Sequence, residues 1–264
     1  MSEIKVNSIK GVGASAAAIT VNNTDGTCTA NITNNLSNRN LIINGAMQVA
    51  QRGTSDTGTG YLSLDRFSVG INGNDESPTQ SQVDVASGTT PYTLGFRKAL
   101  RMTNGNQTSG AGTPDIVSVN YRSEAQDIAN SGWNYISSSS YITLSFWCKS
   151  SVAQNFFGHL KTTDGTAYNY PFETGSLSAD TWTKVTKTIP GNSNLQIDNE
   201  NGAGLNVEVV PFYGTDYTDN SRSLNTWAAH SSSSRTPDYT STWYTTDNAT
   251  LEITGLQLEV GSVA

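Results

Sequence analysis

The feature that most constrains this chain is the length and phase of its apolar segments. From residue 41 onward they come in strand-length runs, most alternating with polar residues, and clusters of Gly, Asn, Ser and Asp separate them. A period of two puts one set of side chains on a single sheet face, whereas an amphipathic helix needs a period near 3.6. Candidate strands are 41–49, 65–70, 82–86, 96–102, 116–121, 141–149, 155–161, 167–172, 183–189, 205–211 and 251–260. Only 122–128 has a pattern that makes a turn or two of helix. Asp164-Gly165 falls between two of the segments and predicts a hairpin. Many evenly spaced strands without βα alternation predict an all-β fold, a jelly-roll β-sandwich.

Phase within the strands assigns faces. In 141–149, Ile142, Leu144, Phe146 and Cys148 share the core side, and Tyr141, Thr143, Ser145, Trp147 and Lys149 share the other. Cys148 then reads as a small buried hydrophobe. Leu205, Val207 and Val209 form another core face, with Asn206, Glu208, Val210 and Phe212 opposite. In the last segment Leu251 and Ile253 have one parity and Leu256, Leu258 and Val260 the other, with Gly255 at the switch. A bulge or bend is expected there.

Residues 1–40 are different in kind. They contain no aromatic residue, and their apolar pieces are very short: Ile4-Lys5-Val6, Ile19-Thr20-Val21 and Thr29-Ala30-Asn31-Ile32. Such strands cannot bury a core alone, so they form either a tail or strands that pair with other copies of the chain. The organisation expected is an N-terminal anchor or intertwined oligomerisation segment, 1–40, followed by a sandwich domain, 41–264.

Composition then excludes function classes. Ser, Thr and Asn number 32, 34 and 26, and only 14% of the 264 residues are charged, against roughly 25% in average chains. A net charge of −7 argues against nucleic acid as a partner. No run approaches the ~20 apolar residues of a membrane span, and Met1-Ser2-Glu3-Ile4-Lys5 lacks the apolar stretch of a secretory signal. Synthesis in a cytoplasm without membrane insertion is expected. Two cysteines 120 residues apart and two histidines argue against a disulfide framework or a Cys/His metal site. No metal site and no cofactor is assigned, a structural calcium being left open.

Catalytic groupings are absent from the sequence pattern. Glycoside cleavage needs two carboxylates about 5–10 Å apart, and Glu124, Asp127, Glu173, Glu208 and Asp247 are scattered over different segments. There is no Gly-x-Ser-x-Gly elbow. His159 reads as a strand histidine on a mostly solvated face and His230 as a loop residue. Sugar binding is better supported, because sugar C–H faces stack on aromatic rings while hydroxyls bond to amides and acids. One candidate platform is Tyr141 with Trp147. Another is Trp227, Tyr239, Trp243 and Tyr244 in the long polar segment 220–248. The plainer alternative is that these rings cap the sandwich or pack between subunits.

Several motifs occur in a telling order. Asn40-Leu41-Ile42-Ile43-Asn44-Gly45-Ala46-Met47-Gln48-Val49-Ala50-Gln51-Arg52-Gly53 is followed by Asp65-Arg66-Phe67, and then by Thr143-Leu144-Ser145-Phe146-Trp147-Cys148-Lys149-Ser150. Tyr170-Pro171-Phe172, Thr181-Trp182, Thr188-Ile189-Pro190 and Ile253-Thr254-Gly255-Leu256-Gln257-Leu258-Glu259-Val260-Gly261 come next. Together, over about 40–264, they resemble phage tail-fibre and virion-associated domains of the carbohydrate-binding jelly-roll type. Residues 1–40 resemble N-terminal segments of fibre proteins from phages of marine cyanobacteria. Related chains commonly run on past the Gly-Ser-Val-Ala step, whereas this one stops at Ala264.

That resemblance implies a non-enzymatic virion structural protein, a homotrimeric fibre exposed on the particle. Residues 1–40 would contact other virion proteins or intertwine, and the sandwich would contact a host-surface glycan. A head fibre or capsid decoration protein without a receptor role is the alternative, and a polysaccharide depolymerase a further one.

Overall fold

A computed structural model of the chain describes residues 40–262 and, before them, residues 8–10, 12, 19–21, 24 and 28–30. The chain divides into two units, Met1–Arg39 and Asn40–Ala264.

In the first unit, β1 (Ser8–Ile9), β2 (Ile19–Val21) and β3 (Cys28–Ala30) form an antiparallel sheet in the order β1-β2-β3. Ser8 lies opposite Thr20, and Thr20 opposite Thr29. These strands therefore pair within their own chain, which corrects the expectation that they lack a local partner. The pieces Ile4-Lys5-Val6 and Asn31-Ile32 lie outside the described residues.

The second unit is a jelly-roll β-sandwich. Its elements are β4 (Ser55–Asp56), β5 (Phe67–Asn72), β6 (Thr79–Asp84), α1 (Thr90–Thr93), β7 (Lys98–Thr103), β8 (Ile116–Glu124), α2 (Ala125–Ala129), β9 (Tyr141–Ser150), β10 (Asn155–Thr162), β11 (Tyr168–Ser176), β12 (Thr183–Pro190), β13 (Ala203–Tyr213), β14 (Ala228–Ala229) and β15 (Thr250–Val260). One six-stranded sheet has the order β14-β11-β10-β13-β8-β5, which we call the front sheet. The back sheet is β12-β9-β15-β7-β6-β4, and every pairing in both is antiparallel. The chain passes repeatedly from sheet to sheet, so each face is assembled from strands distant in sequence.

Phase places the core as expected. Ile142, Leu144, Phe146 and Cys148 of β9 are fully buried, as is Leu205 of β13, with Val207 and Val209 almost so. Phe146 meets Phe172 of the opposite sheet with ring centroids 6.2 Å apart. Burial pushes the Cys148 thiol up to about 12, so it is protonated at neutral pH and inert. The parity switch in β15 is a bulge. Its register against β9 shifts between Thr254 and Gln257, and Gly255 has φ +62°. That angle suits glycine, and the ring of Phe96 fills the space a Cβ would need. Leu251, Ile253, Leu256 and Leu258 all reach the core as a result.

Segment 41–49, expected as a strand, is a hydrogen-bonded loop seated on this bulge. Asn40 Oδ1 accepts from Ile42 N and Leu258 N, both at 3.0 Å, Leu41 N donates to Leu258 O and Leu256 N donates to Gly45 O. Asn44 and Met47 have positive φ, which no strand accommodates. Asn44 stabilises the turn with its own side chain. Its Oδ1 accepts from Val49 N, and its Nδ2 donates to Val49 O and Asp65 O, all at 2.9 Å. Apolar residues here mark a plug, with Ile42 and Met47 in the core and Ile43 exposed.

Candidate functional site

The expected aromatic platforms are placed differently from one another. Trp243 and Tyr244 have no exposed surface. Trp243 packs edge-on against Phe156 at 6.4 Å, and Tyr244 stacks on Phe212 at 4.2 Å. Trp227 is buried against Tyr170, with Nε1 donating to Pro190 O at 2.7 Å. Tyr239 sits edge-on to Phe157 at 5.0 Å and to Phe212 and Tyr213. Trp227, Trp243 and Tyr244 therefore close the sandwich, the plainer of the two alternatives, while Tyr239 is partly buried among Phe157, Phe212 and Tyr213. Their segment lies where a strand pattern fails because it wraps a sheet edge and outer face. Its rings face inward without any period.

Tyr141, at 38% exposure, and Trp147, partly buried, do lie on the outer face of β9. Six residues of strand separate them by about 20 Å, so they form no single platform. Trp147 lies between Lys184 of β12 and Thr254 of β15. That face is only partly open: Thr143 and Ser145 are buried, and Glu252 bonds Arg101 at 2.6 Å and Lys149 at 2.9 Å.

The outer face of the front sheet is also covered, which corrects the solvated reading of His159. At 1% exposure, His159 lies with Nε2 3.7 Å from Glu208 Oε1. Glu208 accepts from Tyr213 OH at 2.7 Å and, with the Asn120 amide turned to donate, from its nitrogen at 2.8 and 3.1 Å. Arg235 lies over the rings of Tyr213 and Tyr217, and Asn169 Nδ2 donates to Arg235 O. Glu208 is thereby committed to structure. Burial holds the His159 imidazole below the ordinary histidine pKa, partly opposed by the Glu208 charge. Burial and the Lys161 charge bring His230 to about 4.

Both imidazoles thus take up a proton more readily in the unfolded chain than in the folded one. Their neutral forms cost the fold nothing above the unfolded value of 6.5. Stability is lost as pH falls below that value toward the folded pKa. We expect the melting temperature to fall between about pH 7 and pH 4.5, and the His159→Gln/His230→Gln double variant to flatten that fall. An unchanged slope in the double variant would assign the acid sensitivity to carboxylates instead.

The open site lies elsewhere, at the end of the front sheet where β8 and β13 meet the loops around residues 51–66. A cleft of about 410 Å³ is lined by Arg52, Tyr61, Asp65, Arg66, Arg122 and Glu124, together with Gln51, Ser123, Asn201 and Ala203. Tyr121 points into the core, so alternation turns Arg122 outward. Arg66 occupies a left-handed turn at φ +73°, with its guanidinium 5.9 Å from the Tyr121 ring. Asp65 Oδ1 accepts from Gln51 N at 3.1 Å, and Arg52 Nη1 donates to Tyr61 O at 3.2 Å. Tyr61 is 37% exposed. The loop that Asn44 ties to Asp65 therefore also sets the shape of the cleft.

None of the expected aromatics lines this cleft. Of its residues, the sequence pointed to Gln51 and Arg52 at the end of the Asn40–Gly53 motif, to the Asp65-Arg66-Phe67 motif and, as a carboxylate, to Glu124. The cleft brings Glu124 together with Asp65, although the acids read as scattered. Among the described residues no group of three or more His, Cys, Asp or Glu is placed to hold a metal ion, and no helix is long and apolar enough to cross a membrane.

The fold is a jelly-roll β-sandwich with an open cleft at one sheet end. No family model matches the chain, and no curated protein matches it. Solved structures similar to it include a Bacteroides thetaiotaomicron protein provisionally described as sugar-binding (TM-score 0.46, 11% identity, 84% of this chain and 100% of that one). Another is the enzymatically active domain of tailspike protein 4 from bacteriophage CBA120 (TM-score 0.42, 10% identity, 84% of this chain), of which this chain spans 21%. A third is the N-terminal cellulose-binding domain of Cellulomonas fimi β-1,4-glucanase C (TM-score 0.37, 12% identity, 82% and 100%). At these scores the likeness assigns neither ligand nor activity.

Proposed function

We propose that the chain is a non-catalytic, saccharide-binding fibre protein of a virion. The sandwich holds a host-surface glycan in the cleft beside Tyr61, and the N-terminal unit attaches to the particle or trimerises. The observation that carries the saccharide reading is the cleft itself. It has the volume of a small-ligand site, a half-open phenol ring, and both donors and acceptors, from the loop (Arg52, Asp65, Arg66) and from the strand (Arg122, Glu124). A sugar ring needs this combination, since it offers an apolar face to a ring and hydroxyls that both donate and accept. Support for the virion setting comes from the ordered motifs over 40–264 and from a preface without aromatics. A glycan array probed with the full chain tests the reading. Binding is expected, with at least a tenfold loss in Tyr61→Ala, whereas an array blank for every saccharide would contradict it.

One observation favours a second reading, a polysaccharide depolymerase: Asp65 and Glu124 share the cleft, and glycoside cleavage uses two carboxylates flanking the scissile bond. Incubation with the polysaccharide the array identifies decides between them. We expect no new reducing ends. Release that disappears in Glu124→Gln would establish the enzyme.

A further inference from the structure

Charge is distributed unevenly over this molecule. The chain carries a net charge of −7, yet three of its eight arginines line the cleft. Arg52 is partly committed through its bond to Tyr61 O. Among the described residues Arg66 and Arg122 form no ion pair, although two carboxylates stand in the same cleft. Asp65 takes its bond from Gln51 N, and Glu124 Oε2 takes its bond from Gln126 Nε2 at 2.8 Å. Arg122 is exposed on a sheet strand, and Arg66 is fixed by the left-handed turn. A guanidinium on a rigid element with no internal acceptor presents a planar fork that matches a carboxylate or sulfate.

One further observation bears on a ligand. Register sets a polar row beside Arg122 on the front sheet, outside the lining of the cleft itself. Arg122 is opposite Asn206, and Asn206 is opposite Lys161. These positions follow one another at the strand spacing of about 4.8 Å, close to the length of one sugar ring. Asn206 Oδ1 is buried without a partner, and Lys161 has no ion pair.

Building on the saccharide reading above, we infer that the cleft takes an anionic saccharide, a polymer whose sugars carry carboxylate or sulfate groups. Arg66 and Arg122 hold the acid group, and Tyr61 lies against a ring face. Neutral cellulose-like or xylan-like chains would offer the two guanidinium groups only neutral hydroxyl acceptors, without the charge-assisted fork.

Calorimetric titration of the full chain tests this, with oligogalacturonate, its carboxyl-reduced neutral counterpart and a sulfated galactan oligomer as probes. At least one acidic oligomer is expected to bind ten times or more tighter than the neutral one, and to weaken as salt is raised. Arg122→Gln and Arg66→Gln are each expected to lose at least tenfold for the acidic oligomer. Arg122→Lys, which keeps the charge but not the fork, recovers part of the loss. Equal affinity for acidic and neutral oligomers, or failure of both acidic ones, overturns the inference. Binding of the neutral oligomer alone leaves the saccharide reading standing, whereas a chain that also gives a blank glycan array loses both.

Discussion

Trp243→Ala is expected to destabilise the sandwich by about 3–5 kcal/mol without touching the binding site. The side chain is fully buried, edge-on to Phe156, and its backbone N–H donates to Gln154 Oε1 at 2.8 Å. Truncation removes the packing of a whole indole and leaves a cavity between the two sheets. One term opposes this: the indole Nε1 has no partner, so its removal relieves a buried, unpaired donor worth about 1–3 kcal/mol. The cavity wins, and the net loss lies near the lower end of the range. Trp243→Phe separates the two terms, since it keeps most of the packing and deletes the donor, and should cost below about 1.5 kcal/mol. Denaturant midpoints measure both variants. The folded Trp243→Ala chain should bind saccharide as the parent does. A variant that keeps its stability but loses saccharide would return Trp243 to the role its composition-rich segment first suggested.

Gly45→Ala carries the second large effect, and it links fold to cleft. A Cβ at this position would collide with the Leu256 carbonyl oxygen and lie 3.0 Å from its carbon and 3.2 Å from Ile42 Cγ2. The nearest atoms are backbone and cannot swing aside. The Leu256 carbonyl is fixed in turn by the Gly255 bulge, and Leu256 N bonds back to Gly45 O at 3.0 Å. The loop must lift, which loses that bond and strains the neighbouring Leu41–Leu258 and Asn40 contacts. A cost at the upper end of about 1–3 kcal/mol follows. Hydrogen exchange at Leu41, Leu256 and Leu258 should accelerate selectively. Because Asn44 Nδ2 bonds Asp65 O at 2.9 Å, saccharide affinity should fall together with stability. An alanine tolerated within about 0.5 kcal/mol would mean that the loop is not seated on β15.

Much of the fold was legible because its signal is local. The faces of β9 and the early part of β13 follow from alternation, and the parity switch in Leu251–Leu258 located the bulge at Gly255. Segment 41–49 failed for a physical reason. Its apolar residues are buried by contact with β15, 200 residues away, while positive φ at Asn44 and Met47 breaks the strand. The cleft residues and the aromatic rings were harder to read. Burial of Trp227, Tyr239, Trp243 and Tyr244 is decided by where 214–248 wraps, which no periodicity encodes. Arg122 had a usable signal: Val117, Val119 and Tyr121 alternate into the core, and β8 simply continues to Glu124. Reading 122–128 as helix from its first residue hid it. Tyr61 and Arg66 come from loops that meet Arg122 only in three dimensions.

The central claim, that saccharide is held in the cleft and not on the expected aromatic faces, is tested most directly by one paired measurement. The parent chain, Tyr61→Ala and Trp147→Ala are titrated with the same acidic oligosaccharide, each variant first shown to melt as the parent does. Loss of at least tenfold in Tyr61→Ala with Trp147→Ala unchanged is the predicted result. Loss in Trp147→Ala with Tyr61→Ala unchanged would contradict it and move the site to the outer face of the back sheet.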